Sequence, residues 1–581
     1  MHLLMLGANP LASNGSLLTA PDMRGRLRGL RERGGKLVVV DPRRSRTAEA
    51  ADEHHFIRPG TDAHLLFALV HVLFEESLSD PGRLAEHTDG IERVAELARP
   101  FTPEAVAPVC GIDAGEIRRI ARELAATKPA AVYARIGTCT QEFGTLASWL
   151  VDVLNVLTGN LDREGGAMFP LAAAGQSNSR GQPGKGRGAR FGRWSSRVRG
   201  LPETFGELPV SCLAEEIETP GEGQVRALVT LAGNPLLSTP NAGRLARAVE
   251  GLEFMLSVDI YLNETTRHAD VILPGPGPFA KSHYDLALYQ LAVRSVANYS
   301  PPMMPPEEGT LDESEILLRL TGIVTGQGPD ADTEGIDRFV IETLVRGQVA
   351  DEHSRIAGRD PAEIVAALEP RQGPERVLDF MLRTGAFGDG FGRDPGGLNL
   401  DVLERSRHGV DLGPMRPRIP EVLRTPSGRI ELAPEPVAAD VERLRQSIER
   451  SNGHIVLVGR RQLRSNNSWM HNLEVLVKGK DRCTMHVSPA DAERLGLEDG
   501  GHARVRSRAG EIVAPVEVTD AVMPGVVSIP HGWGHGVPGT RMRVADEHGG
   551  VNSNVLADEN QVDPLSGNAV LNGIPVEIAA A

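Results

Sequence analysis

At 581 residues the chain is too long for one hydrophobic core, so several packed domains are expected. Its 40% hydrophobic and 24% charged composition is that of an ordinary soluble globular protein, and 62 basic against 77 acidic residues leave a net charge of −15. That balance excludes general affinity for nucleic acid or for an anionic membrane surface. No apolar run approaches the roughly 20 residues that a spanning helix needs, so no membrane span is expected. The four cysteines, Cys110, Cys139, Cys212 and Cys483, form no CxxC pair. The chain itself therefore shows no zinc or iron–sulfur motif and no disulfide framework, and a reducing, cytoplasmic setting fits.

Residues 2–41, HLLMLGANPLASNGSLLTAPDMRGRLRGLRERGGKLVVVD, read as strand, Gly-x-Asn-Pro turn, helix, strand and a terminal Asp41. The start mimics a short signal peptide but lacks a basic leading region, and is read as the first strand of a domain. Arg43, Arg44 and Arg46 lie just past the second strand tip, where cations meet phosphate or a purine edge. Residues 58–62, RPGTD, form a turn in which Thr61 or Asp62 caps a helix over 63–76. On local grounds this is a turn and cap without a ligand. Residues 80–130 read as helical, with an amphipathic stretch over 114–127. A strand over 131–136, a turn at Gly137 and a long apolar helix over 145–157 follow. Gln141 in that turn either offers its amide to a ring heterocycle or faces solvent. Cys139, without a neighbouring base, reads as an idle thiol. Residues 180–199 are basic and Gly-rich: a solvated loop, or the lining for an anionic ligand.

The most informative stretch is 227–274, ALVTLAGNPLLSTPNAGRLARAVEGLEFMLSVDIYLNETTRHADVILP. It repeats the first pattern: strand, Gly-Asn-Pro turn, helix, strand, then Asp259. Such units bind nucleotides, because the Gly turn admits a phosphate to the backbone and the tip carboxylate accepts hydrogen bonds from ribose hydroxyls. Two nucleotide-sized sites are expected. His283, Tyr284 and Asp285 follow a rigid Pro-Gly loop and are placed near a cleft. Residues 301–450 alternate helical stretches with Pro- and Gly-rich breaks and carry no chemical signature. From about 451 the pattern changes to short strands separated by turns, which suggests a β-barrel. Its polar clusters lie at 459–472, 530–536 and 551–569, and include Arg460, Arg461 and His531.

Taken in order, LGANP…VVVDPRRSRTA…IRPGTD, GTCTQEFG…LTGNLDREGG, LAGNPLLS…VDIYLNETTRHADVILP, TPSGRIEL and GRRQL…SNNSW…VSPADAERLGLEDGGHARVRSRAG make the chain resemble the molybdopterin oxidoreductases of the dimethyl sulfoxide reductase, formate dehydrogenase and nitrate reductase type. The resemblance implies an α/β fold. Two related nucleotide-binding regions, 1–130 and 131–300, precede a helical and loop region at 301–450 and a six-stranded (double-psi) β-barrel at 451–581. It implies a molybdenum or tungsten ion held by two pterin guanine dinucleotides. Carried over position by position, Gly7, Asn9, Asp41, Arg43, Gly60, Thr61 and Asp62 would hold one nucleotide arm, and Gly233, Asn234, Asp259, Thr265 and Asp270 the other. Gln141 would sit near a pterin, with Arg460, Ser468, Asn554 and Asn568 as barrel contacts. Family members carry a four-iron four-sulfur cluster and the residue that ligates the metal ahead of the first Gly-x-Asn-Pro strand. Here that strand begins at residue 2, so an N-terminally incomplete chain is expected. The metal-ligating residue is expected upstream of Met1, and no catalytic or metal-ligating residue is assigned within the chain. The implied reaction is two-electron redox or oxygen-atom transfer on a small molecule, with electrons passed to a partner protein. A non-catalytic scaffold, like the large subunit of respiratory complex I, is the alternative. A nicotinamide-dependent enzyme is disfavoured because the turns are GANP and AGNP, not G-x-G-x-x-G.

Overall fold

The computed structural model describes residues 1–13, 15, 19–175, 190–450 and 453–581. The first sheet grows from β1 (His2–Leu6), followed by α1 (Met23–Glu32), β2 (Lys36–Val40) and β3 (Glu53–His55). Strands β1 and β2 are short, largely apolar runs because helices cover both faces, as parallel sheets require, while the edge strand β3 is polar. Next come α2 (Asp62–Glu75), β4 (Ala130–Ala134) and α3 (Gly144–Leu157). The order is β3-β2-β1-β4, all parallel, with His2 in register with both Lys36 and Ala130. The chain winds outward from β1 in one direction and returns for β4 on its other side. The crevice beyond the carboxyl ends of β1 and β4 is therefore a topological switch point, where open α/β sheets bind ligands. The main core packs α2 and α3 together, with Phe67 stacked on Phe101 at 4.5 Å between ring centroids.

The first sheet runs past the boundary expected at 130. Strand β4 pairs with β1 along its whole length, so the segment through 157 belongs to the first region. A strand-turn-helix pattern does not say which sheet the strand joins. The second sheet consists of β5 (Ala227–Leu231), β6 (Phe254–Val258) and β7 (Val271–Ile272) in the order β7-β6-β5, again parallel, with α4 (Ala242–Val249) between β5 and β6. Helix α5 (Glu313–Val324) covers its other face through Ile316 and Leu320 against Leu256 and Val258. The end of the helical region turns back to the first core. Leu432, together with Val441 and Leu444 of α6 (Glu435–Ser447), packs there, and Trp149 Nε1 donates to Leu432 O at 2.7 Å.

The C-terminal strands β8 (Ile455–Arg460), β9 (Met485–Val487), β10 (His502–Arg506), β11 (Glu511–Val518), β12 (Val526–Pro530) and β13 (Asn572–Ala580) close into a six-stranded barrel. Its order is β8-β12-β9-β11-β10-β13, with β8–β12 and β9–β11 parallel and the rest antiparallel. Closure leaves no strand edge exposed. Alternate inward residues, among them Met485, Val487, Ala503, Val505 and Val527, fill the interior. Among the described residues no helix is long and apolar enough to cross a membrane.

Candidate functional site

The first cradle is built around Gly7, directly after β1. It adopts φ +54°, and a Cβ there would stand 2.8 Å from Thr138 N, so only glycine fits. The turns after β1 and β4 thereby touch, and Gly137 N donates to Gly7 O at 3.1 Å. Asn9 Oδ1 accepts from Thr47 Oγ1 at 2.8 Å, while Thr47 Oγ1 accepts from Leu11 N at 3.2 Å. At the tip of β2, Asp41 Oδ1 accepts from Arg43 N at 2.8 Å. Gln141 does not face solvent: it is buried, and its Nε2 donates to Asp62 Oδ2 at 2.7 Å and to Gly137 O. Gly60, at φ +86°, and Thr61 shape the turn before α2. The Thr61 hydroxyl donates back to Arg58 O at 2.7 Å, closing that turn instead of capping the helix.

The second cradle repeats these contacts. Ala232 takes the left-handed position of Gly7, at φ +47°, and its N donates to Val258 O at 2.8 Å, as Gly7 N does to Val40 O at 3.1 Å. Asn234 Oδ1 accepts from Thr265 Oγ1 at 2.7 Å, and Leu236 N donates to Thr265 Oγ1 at 3.2 Å. Asp259 Oδ1 accepts from Tyr261 N at 2.9 Å. Asp270 Oδ2 accepts from Met255 N at 2.7 Å, as Asp52 Oδ2 accepts from Leu37 N at 2.8 Å. Thr265 is thus a brace beneath the turn. Asp270 clamps the start of β6, at the opposite end from Asp259, and is not at the strand tip. Gly233 has no left-handed backbone and lies beside the residue that does. Thr47, Asp52 and Ala232 escape motif reading. The signal for the first two is present all the same: DPRRSRTAEAAD and DIYLNETTRHAD place Thr and Asp at the same offsets from the tip carboxylate.

A cavity of about 290 Å³ lies between the carboxyl ends of the first sheet and the barrel. The first region contributes Gly7, Asn9, Asp41, Arg43, Asp62, Arg135 and Gln141, and the barrel contributes Arg460, Arg461, His531, Asn554 and Asn572. Burial raises Asp41 and Asp62 to about 6. Burial, with repulsion from Arg43, lowers Arg460 to about 9, and His531 falls to about 4 through burial beside Arg461. The lining brings four guanidinium groups, those of Arg43, Arg135, Arg460 and Arg461, to one cavity, an arrangement suited to phosphate and to the acceptor edges of heterocycles. Arg460 donates to Ser528 O and Thr484 O, but its buried Nε has no partner.

Other expected residues lie elsewhere. Met1, ahead of which the metal ligand is expected, is exposed at the amino end of β1, the end opposite the cavity. Its carbonyl accepts from Lys36 N at 3.0 Å, which extends the β1–β2 pairing by one bond and gives Met1 no part in the site. Asn554 reaches the cavity but spends its Nδ2 on Leu237 O at 2.6 Å, tying the barrel to the second cradle. Ser468 is buried away from the cavity lining, and Asn568 is exposed in a surface turn. Tyr284 pairs in a small sheet with Tyr299, and neither it, His283 nor Asp285 lines the cavity. Residues 180–189 of the basic stretch lie outside the described residues. Beyond them Arg193, Arg197 and Arg199 are committed to Glu203, Glu216 and Glu215. Among the described residues one cluster has metal-ligand spacing, Glu53, His55 and Glu116, but Lys36 and Arg119 already neutralise its carboxylates.

Comparison with known proteins agrees with this architecture. Residues 3–276 match the molybdopterin oxidoreductase family, and residues 455–575 match the molybdopterin dinucleotide binding domain. The chain belongs to the molybdopterin oxidoreductases. It is 24% identical over 543 residues to the F420-dependent formate dehydrogenase subunit alpha of Methanocaldococcus jannaschii, covering 91% of this chain and 71% of that protein. It is 30% identical over 281 residues to formate dehydrogenase H of Escherichia coli, covering 46% and 38%. A third relative, the dimethyl sulfoxide/trimethylamine N-oxide reductase of Rhodobacter capsulatus, is 24% identical over 564 residues, covering 90% and 64%. Acetylene hydratase from Pelobacter acetylenicus has the same fold, with a TM-score of 0.73 at 20% identity over 100% of this chain and 78% of that one. The family's dinucleotide cofactor fits the residues present. Arg460 keeps an orphan buried N–H at the cavity, where the guanidinium groups of Arg43, Arg135 and Arg461 also converge.

Proposed function

We propose that this molybdopterin oxidoreductase binds molybdenum or tungsten through two pterin guanine dinucleotides and performs two-electron redox or oxygen-atom transfer on a small substrate. The observation that carries the reading is the duplicated cradle: one constellation of turn, Asn–Thr brace and tip carboxylate, built twice, supports a cofactor with two similar arms. When bound, the metal–pterin unit supplies the redox chemistry, and the protein supplies position, charge and exclusion of water. Gly7, Asn9, Asp41 and Arg43 would hold one arm, and Asn234 and Asp259 the other. Arg43, Arg460 and Arg461 would offset phosphate charge there. Asp62 fixes the Gln141 amide so that its oxygen has one orientation. The barrel lies over the first switch point and forms the second wall of that crevice.

Formate is the favoured substrate, supported by formate dehydrogenases of three organisms among the relatives. An electron-transfer protein is the expected partner. Four unpaired cysteines fit a cytoplasmic setting. The test is the protein purified from a host that makes the cofactor, analysed for metal and extracted under denaturing conditions. Molybdenum or tungsten should be recovered together with pterin and guanine nucleotide, and Asp41→Ala with Asp259→Ala should lose both. A preparation free of metal and nucleotide would refute the reading. Formate oxidation with an artificial electron acceptor, set against nitrate and sulfoxide reduction, tests the substrate.

A further inference from the structure

Two neighbouring helices carry more apolar surface than the fold buries. Helix α5 lays Ile316 and Leu320 on the second sheet, and the helix Thr333–Ala350 buries Ile341 and Val345 in a core with Ile356, Ile364 and Phe380. A surface helix ordinarily bears one apolar stripe and turns polar residues outward. Each of these bears a second one. On α5, Leu317, Ile323 and Val324 are exposed, Val324 to 81%. On its neighbour, Phe339 and Val340 are exposed, Phe339 to 65%. Apolar residues scattered singly over a surface need no partner, whereas adjoining exposed stripes mark an interaction site.

The two stripes meet at a groove. Gly322 of α5 is buried, and a Cβ there would collide with Ala331 Cβ, so α5 and the start of the next helix approach as closely as glycine allows. Thr333 Oγ1 donates to Glu315 Oε1 at 3.4 Å across the same junction. Beside it lies a groove of about 300 Å³, walled on one side by Thr321 and Thr325 and on the other by Gly335, Ile336 and Phe339. It shares no lining residue with the cofactor cavity. The charge around it has one sign. Residues 305–342 hold ten acidic residues against two arginines, a net −8 where the whole chain carries −15. Arg319 is committed to Glu315, while Asp330 and Glu334, exposed on either side of the groove residue Asp332, have no ion-pair partner among the described residues.

We propose that α5 and the helix Thr333–Ala350 form a docking face for a basic amphipathic helix of another protein, with Ile336 and Phe339 receiving its apolar side chains. Helix-in-groove recognition supplies the apolar contact, and lysine or arginine beside the incoming stripe meets Asp330, Asp332 and Glu334. Charge decides between occupants. A second copy joined by a two-fold axis would set this acidic face against itself, and an acidic partner would be repelled in the same way.

The probe is a labelled synthetic peptide of about five helical turns, with leucine at helical spacing on one face and lysine elsewhere, titrated into the full chain by fluorescence anisotropy. Hydrogen-exchange mass spectrometry locates it. Binding should slow exchange over residues 313–343, and a leucine–glutamate peptide of the same pattern should not bind. Scrambling the leucine–lysine sequence, which removes the stripe and keeps the charge, should weaken binding about tenfold. Phe339→Ser, at an exposed position, should leave the melting temperature unchanged and weaken the patterned peptide about tenfold. Asp330→Asn with Glu334→Gln should weaken it about fivefold at low salt and less at high salt. No binding, equal binding of the scrambled peptide, protection elsewhere on the chain, or an unchanged affinity in Phe339→Ser overturns the inference. Self-association of the parent that Phe339→Ser abolishes makes the occupant a second copy and overturns it too. The cofactor reading stands apart from every one of these results, because no variant touches the cavity.

Discussion

Exchanging the residues at the two equivalent turns tests the duplication most directly. In Gly7→Ala the new Cβ would lie 2.8 Å from Thr138 N and 3.0 Å from the Gly137 carbonyl carbon, both backbone atoms of the turn after β4. Neither can rotate aside. Alanine at φ +54° also incurs left-handed strain of about 1–2 kcal/mol, and forcing a methyl into a closed contact costs about 1–3 kcal/mol more. A loss of about 3 kcal/mol is therefore expected. The second turn already carries alanine in the same conformation, at φ +47°. In Ala232→Gly the strain relieved, about 1 kcal/mol, is offset by the extra chain entropy of glycine, so stability should stay within about 0.5 kcal/mol of the parent. Chemical denaturation followed by hydrogen-exchange mass spectrometry of the first-sheet and second-sheet peptides separates the two effects. Gly7→Ala unfolding its first sheet at the parental denaturant concentration would refute the close-approach argument.

Three further outcomes follow from the same geometry. The Asp62 carboxyl is raised to about 6 by burial, so its ionisation opposes folding above that pH and has no effect below about 4. Asp62→Asn should therefore stabilise the cofactor-free chain by up to about 3 kcal/mol at pH 8 and not at all near pH 3.5, while lowering cofactor retention; a gain independent of pH in denaturation curves would contradict this. Thr47→Val and Thr265→Val remove matching braces and should each cost about 1–2 kcal/mol, adding in the double variant because the sites are separate. Clearly unequal losses would break the equivalence of the cradles. Asp259→Ala and Asp270→Ala each remove a carboxylate bond to a backbone N–H, that of Tyr261 and of Met255, and should each cost about 1 kcal/mol, but only Asp259→Ala should reduce guanine nucleotide recovery. Extraction of both variants after purification checks the division.

The sequence alone carried the repeated strand–turn–helix–strand unit, the two tip carboxylates and the change to short strands near 451. Those features are local: hydrophobic periodicity, a Gly-Asn-Pro break and turn spacing are written within a few residues of one another. The family resemblance places Thr265 and Asp270 with the second nucleotide arm, and a motif match does not tell a brace or a strand clamp from a residue at a strand tip. Only tertiary structure decided that β4 joins β1, which creates the switch point and turns Gln141 inward onto Asp62. It also decided that the barrel supplies Arg460, Arg461 and His531 to a cavity whose other wall lies more than 300 residues earlier in the chain. The physical reason is that strand pairing and burial join surfaces through contacts distant in sequence. Which side chains end up facing each other across a crevice then depends on how those surfaces pack, and no local pattern encodes that.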